Sequence, residues 1–130
     1  MLILFVCVEN AGRSQIAEAY AKRLGRDAVS AGTMPAEKVN PLVIKVMKED
    51  GIDISAAHPK LLTKEMILAA SLVVTMGCSV QDVCPAPLIK DMQKKIIEWH
   101  IEDPNGKSIE KIREIRDTIK TKVSDILNKQ

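Results

Sequence analysis

The sequence predicts an α/β fold: one domain over residues 1–130, arranged as a three-layer sandwich with a parallel four-stranded sheet between helices on both faces. Three observations carry this. Short apolar runs of strand length alternate with segments whose apolar residues recur at three- and four-residue steps. A length of 130 residues and a hydrophobic content of 46% suit a single compact core. No internal repeat or low-complexity tract marks a second unit.

The first strand is Leu2-Ile3-Leu4-Phe5-Val6. Ser14 to Leu24 carries Ile16, Tyr20 and Leu24 at helical spacing, and Gly25 is placed to cap that helix. Asp27 to Ser30 reads as a second short strand, after which Ala31-Gly32-Thr33-Met34-Pro35 turns away. Asn40-Pro41 is a helix start with a capping side chain and a proline at the first helical position; Val43, Val46 and Met47 form its apolar face and Gly51 stops it. A short helix opens near Thr63, Leu72 to Met76 is a buried strand, and Ile96 to Trp99 is the last strand. From Ser108 onward, Ile109, Ile112, Ile119, Val123 and Ile126 mark an amphipathic helix that packs on the sheet. Met47 and Met76 lie on apolar faces and are assigned to the core.

Composition excludes several classes of function. A net charge of +2 with interspersed signs, and 2% aromatic residues, leave neither a basic stripe nor a stacking surface for nucleic acid. The N-terminal apolar run lacks a charged leader, and no stretch approaches membrane-spanning length, so a cytoplasmic protein without a membrane partner is expected. Glycines are scattered with no GxGxxG after a strand, so no nucleotide, flavin or other cofactor is expected.

The chemistry-bearing segment is Cys7-Val8-Glu9-Asn10-Ala11-Gly12-Arg13-Ser14, which joins the first strand to the first helix. Unpaired amides and the positive end of the helix dipole attract a tetrahedral anion there, and the Arg13 guanidinium is able to grip two of its oxygens. The same field favours a Cys7 thiolate, and the Ser14 hydroxyl is placed to donate to the sulfur. A buried structural cysteine ending a strand is the bland alternative. The strand-loop-helix setting, with Arg-Ser at the helix start, favours the nucleophile.

Two more cysteines, Cys78 and Cys84, follow the third strand, so three thiols are expected to converge on one rim of the sheet. Three cysteines without a close fourth ligand make an incomplete zinc site, and a redox role is preferred. Were residues 78 to 84 helical, six steps of about 1.5 Å would separate the two Cα atoms by roughly 9 Å, beyond the limit of about 7 Å for a disulfide. Pro85 and Pro87 disfavour helix there, so remodelling of residues 78 to 90 on oxidation is expected. Asp103, after the last strand, is the candidate proton donor; Glu102 competes with it. His58 and His100 receive no role.

These residues resemble the thioredoxin-coupled arsenate reductases built on the low-molecular-weight protein tyrosine phosphatase fold. The resemblance covers nearly the whole chain. It runs through the Cys7 to Gln15 loop, Ser30-Ala31-Gly32, Val39-Asn40-Pro41, Gly51 to Ser55, Pro59 to Thr63, Val73 to Cys78, Cys84-Pro85 and Trp99-x-x-x-Asp103-Pro104. It implies that Cys7 attacks arsenate held by Arg13 and the loop amides while Asp103 protonates the departing oxygen. It further implies that Cys78 displaces arsenite by attacking Cys7, that Cys84 then forms a Cys78–Cys84 disulfide, and that a thioredoxin-like partner reduces it. Asn10 and Ser14 would shape the loop, and phosphate or sulfate would act as mimics of arsenate.

The chain departs from the family at four places. Glu9 stands where many relatives have Gly, Gly12 where some have another cysteine, and the spacing from Cys78 to Cys84 is shorter than in some members. Certain members bind potassium through residues matching Asn10, Glu18 and Ser30 plus an acid; Lys60 stands at that acid's position, so no potassium site is expected, and the Lys60 ammonium would substitute for the ion. Two other readings stay open: a phosphomonoester or tyrosine phosphatase using Cys7, Arg13 and Asp103, and a non-catalytic thiolate binder of arsenite.

Overall fold

The computed structural model describes residues 2–77 and 96–128. Four parallel strands, β1 (Leu2–Cys7), β2 (Asp27–Gly32), β3 (Leu72–Met76) and β4 (Ile96–Trp99), lie in the order β2-β1-β3-β4. Four helices are described: α1 (Arg13–Arg23), α2 (Pro41–Glu49), α3 (Lys64–Ala69) and α4 (Ile109–Asn128). Every predicted element forms, and the parallel sheet with helices on both faces is the predicted architecture.

Strand alternation divides β1 between two cores. Ile3, Phe5 and Cys7 face the larger core with Ile16 and Tyr20 of α1, Val46 of α2 and Ile119 of α4; Leu4 and Val6 face a smaller one with Ile67 of α3. Buried on both faces, β1 reads as a continuous apolar run rather than an alternating one. Met47 and Met76 are fully buried in the larger core, and a side chain of that size contributes about 1.5–3 kcal/mol by leaving water. Phe5 and Trp99 meet there at a centroid distance of 6.1 Å.

The boundaries differ from expectation where they matter. β1 continues to Cys7 and β2 to Gly32, because Cys7 pairs with Gly32 and Gly32 also bridges to Leu61. Ala31 and Gly32 are therefore strand, and the chain turns only at Thr33. α1 begins at Arg13, one residue early. In α4 the buried face is Ile112, Ile115, Ile119, Val123 and Leu127, while Ile126 is half-buried at its edge. Steps of four carry the stripe to Leu127.

All strands run the same way, so their carboxyl ends share one edge. β1 connects to β2 on one side and has β3 on the other, which places Cys7 at the switch point where α/β sheets open a crevice. Among the described residues no helix is long and apolar enough to cross a membrane.

Candidate active site

Three of the four described helices begin with a side chain that caps them. The Asn40 carboxamide accepts from the Leu42 amide at 3.0 Å, the Thr63 hydroxyl from Met66 at 3.2 Å and the Ser108 hydroxyl from Lys111 at 3.3 Å. α1 begins at Gly12 with no side-chain cap. Its first amides keep their bonding capacity at the edge where Cys7 ends β1.

The loop between them is pinned by its carbonyls. Cys7 O accepts from the Thr33 amide, Val8 O from Met34, Glu9 O from Ala36 and Ala11 O from Asn40, at 2.8–3.2 Å. Asn10 O accepts from Gln15 Nε2, and Gly12 O from the Ile16 amide. Among the described residues no peptide bond is cis, and in a trans peptide the N–H points opposite to the preceding carbonyl. Tying these carbonyls outward to the collar of residues 33–40 and to α1 therefore turns the amides of residues 9 to 13 the other way. The Asn10 amide demonstrates this by donating to Cys7 Sγ at 3.2 Å.

A polarised chain of hydrogen bonds ends on the same sulfur. Asn10 is buried at a positive φ of 53°, a conformation asparagine tolerates. Its Oδ1 accepts from the Lys60 amide at 2.9 Å and from Gln15 Nε2 at 3.1 Å, which orients its Nδ2 toward Ser14 Oγ at 2.6 Å. An amide nitrogen only donates, so Ser14 Oγ accepts there, which leaves its own proton available to Cys7 Sγ, 2.9 Å away. The Asn10 amide and the Ser14 hydroxyl are thus the two groups able to donate to the sulfur.

Arg13 is buried with its guanidinium beside the loop after β4. Nη1 donates to Ile101 O at 3.0 Å, and Nη2 lies 3.8 Å from Asp103 Oδ2. Asp103 is half-exposed and also accepts from the Asn105 amide at 3.0 Å. The competing acid, Glu102, points elsewhere, 4.0 Å from Lys107 and 3.7 Å from Lys111. Pro104 seats the acid-bearing loop: a Cβ added at Gly12 would lie 2.6 Å from Pro104 Cγ. Glycine at position 12 thus leaves room for Pro104 and the loop that carries Asp103. Likewise a Cβ at Gly32 would lie 2.6 Å from Val8 O, so the loop rests on the bare end of β2.

Cys7, Arg13 and Asp103 line one cleft of about 290 Å³, walled by Pro41, Leu42 and Pro104 and rimmed by Glu9, Lys38 and Lys107. A larger hollow of about 650 Å³ lies behind the loop against Gln15, Glu18, Asp50 and Asp53 and contains no cysteine. Cys78 and Cys84 lie outside the described residues. Among the described residues no group of three His, Cys, Asp or Glu is placed to hold a metal.

The Glu18 carboxylate accepts from Ser30 Oγ at 2.8 Å and from Lys22 at 2.9 Å, and Lys60 Nζ is 3.9 Å away. His58 contributes its carbonyl, to Gln15 and to Lys60 Nζ. Sequence reasoning misses Gln15, whose carboxamide ties the loop to residues 58–60. A glutamine directly after Arg13-Ser14 is the signal that could have found it.

Comparison with known proteins extends these features to the whole chain. An arsenate reductase of Staphylococcus aureus (strain Newman) is 39% identical over 127 residues, covering 95% of this chain and 93% of its own. A solved arsenate reductase in the phosphate binding state superposes with a TM-score of 0.85 at 32% identity, covering 98% of this chain and 97% of that one. The thioredoxin-dependent arsenate reductase of Corynebacterium glutamicum gives a TM-score of 0.75 at 39% identity, covering 99% of this chain and 63% of that one. The matched family model spans residues 2–130. With its strand-loop-helix cradle, parallel sheet and end-to-end match, the chain belongs to the low molecular weight phosphotyrosine protein phosphatase family.

Proposed function

We propose that this enzyme reduces arsenate to arsenite through a thiol relay. The observation that carries the reading is a cysteine at the floor of a loop whose amides face inward, with Arg13 beside it, in a chain that holds two further thiols. Arsenate sits on the amides of the Val8–Ser14 loop and the Arg13 guanidinium; phosphate and sulfate have the same shape and charge. The Cys7 thiolate attacks arsenic, Asp103 protonates the departing oxygen, water leaves, and a Cys7 Sγ–As bond remains. A Cys78 thiolate then attacks Cys7 Sγ. The S–As bond breaks with its electron pair kept by arsenic, so arsenic falls from +5 to +3, arsenite leaves, and a Cys7–Cys78 disulfide forms.

Cys84 attacks that disulfide at Cys78, freeing Cys7 and leaving Cys78–Cys84 for a thioredoxin-like dithiol to reduce. The order of the two later thiols follows the family resemblance, and the thioredoxin-dependent relative supports the class of reductant. Such a relay suits a reducing compartment, the cytoplasm. Lys60 stands in for a monovalent cation behind the loop: its ammonium beside Glu18, with its amide on Asn10, supports this substitution.

The second reading is a phosphatase, which the family's description favours and which uses the same nucleophile, arginine and acid. Tyrosine phosphates are poor candidates. The chain's three aromatic residues, Phe5, Tyr20 and Trp99, are all in the core, so none stacks on a substrate ring in the cleft. A single turnover separates the readings: reduced protein is mixed with excess arsenate and no other reductant. A fall from three thiols to one, with Cys78 bonded to Cys84 and arsenite released, establishes the relay. Three thiols remaining, in a protein that still cleaves a phosphomonoester, establishes the phosphatase.

A further inference from the structure

Gly77 follows β3 directly and adopts a left-handed conformation with φ of 81°. Gly25, Gly51 and Gly106 share that conformation, at φ of 82°, 79° and 75°, and a Cβ built on any of them meets nothing within 4 Å. They are turn glycines. Gly77 differs, because a Cβ there would overlap Arg13 Nη1 and lie 2.8 Å from Cζ and 2.9 Å from Nη2. The guanidinium occupies the space that a side chain at residue 77 would fill.

The guanidinium is thus located from two directions. The bare Cα at the end of β3 receives it on one side, and the loop after β4 receives its edge through Ile101 O at 3.0 Å. Arg13 itself is 7% exposed, so its side chain is hemmed in by packing as well as by these contacts. A bidentate grip on a tetrahedral oxyanion depends on the plane of the guanidinium as much as on its charge. We propose that Gly77 is a positioning residue for Arg13, its missing side chain forming the seat that sets the guanidinium over the Cys7 loop. This rests on the reading of Arg13 as the oxyanion grip.

A methyl group at residue 77 would force Nη1 to move by about 1 Å or more, and a displacement of that order in a positioned group costs about 10²-fold in function. The left-handed backbone carries its own cost for alanine, so the comparison must hold that cost constant. Gly51→Ala does so, with nearly the same φ and no neighbour.

The experiment is calorimetric titration of the full-length reduced protein with inorganic phosphate, alongside melting temperature. Gly51→Ala is expected to melt lower and bind phosphate as the parent does. Gly77→Ala is expected to melt lower by a similar amount and bind phosphate at least about tenfold more weakly. In an Arg13→Lys background, Gly77→Ala should add no further loss, since its effect runs through the guanidinium. Should Gly77→Ala fail to fold, Gly77→Asn replaces it, because asparagine accepts the left-handed region. Equal phosphate affinity in the Gly77 and Gly51 variants overturns the inference, as does an undiminished loss in the lysine background. A parent protein that binds no phosphate overturns instead the oxyanion reading beneath it.

Discussion

The two ends of helix α1 are built in opposite ways. At its carboxyl end the Leu24 amide reaches the carbonyls of Tyr20 and Ala21, the Gly25 amide that of Lys22 and the Arg26 amide that of Ala21, closing a Schellman motif at a left-handed glycine. Lys22 and Arg23 in the last turn suit the negative end of the dipole. At its amino end nothing caps the helix, no acid lies in the first turn, and the first helical residue is Arg13, a cation at the positive end of the dipole. Only one end is satisfied by its own chain. A helix terminus without a cap of its own, with Arg13 beside it, is suited to receive an anion, whereas the closed terminus is purely structural. The other described helices differ in kind, because Asn40, Thr63 and Ser108 each cap their own helix start.

The largest test of this contrast removes the arginine. Arg13→Ala should lower arsenate turnover by about 10³-fold, the scale of a lost oxyanion partner, while binding of arsenite to the three thiols stays as in the parent. Unchanged turnover, measured as arsenite released per minute with a saturating dithiol, would mean that the thiols alone carry the function. The next test places one methyl group at each end. Gly12→Ala presses on the Pro104 ring and so displaces the Asp103 loop; turnover should fall about 10- to 100-fold with little change in melting temperature. Gly25→Ala meets no atom and pays only for its backbone, about 1–2 kcal/mol of stability, with turnover unchanged. Equal kinetic effects at the two ends would erase the distinction.

A smaller effect concerns the face that ties α2 to α4. Glu49 is held below the usual carboxylate range by its bond to Arg113, and Asp50 by its bond to Tyr20 and then by Lys120. Burial and the Asp50 carboxylate in turn push the Tyr20 hydroxyl up. For carboxylates with lowered folded-state values, the stabilisation is complete above the unfolded values of about 4 and is lost as pH falls through the folded ones. Chemical denaturation as a function of pH should therefore show stability declining below about pH 4, with a shallower decline in Glu49→Gln. An unaltered slope would show that the Glu49 pairs are solvated in practice. The smallest expected effect is none: replacing sodium by potassium at constant ionic strength should leave turnover unchanged, because the Lys60 ammonium already lies near Glu18. In Lys60→Ala a potassium-dependent rise is expected. A potassium-dependent rise in the parent would contradict the substitution.

Most of the frame and the candidate site residues were legible in the residues themselves. The apolar period separates strands from helices, Asn40-Pro41, Gly25 and Gly51 punctuate them, and Cys7 with Arg13 and Ser14 at a strand-to-helix junction announces an anion site. These signals are local, and burial and backbone geometry write them into neighbouring side chains. What only the tertiary structure decided is how the site is held: the collar of residues 33–40 that turns the loop amides inward, the Gln15 brace, the choice of Asp103 rather than Glu102 beside Arg13, and the seats at Gly12 and Gly77. Backbone amides bond across the fold irrespective of the side chain they carry, so the collar leaves no mark in composition. A glycine reads the same in sequence whether its missing side chain frees a turn or makes room for a neighbour, and that neighbour is known only once the chain has folded around it.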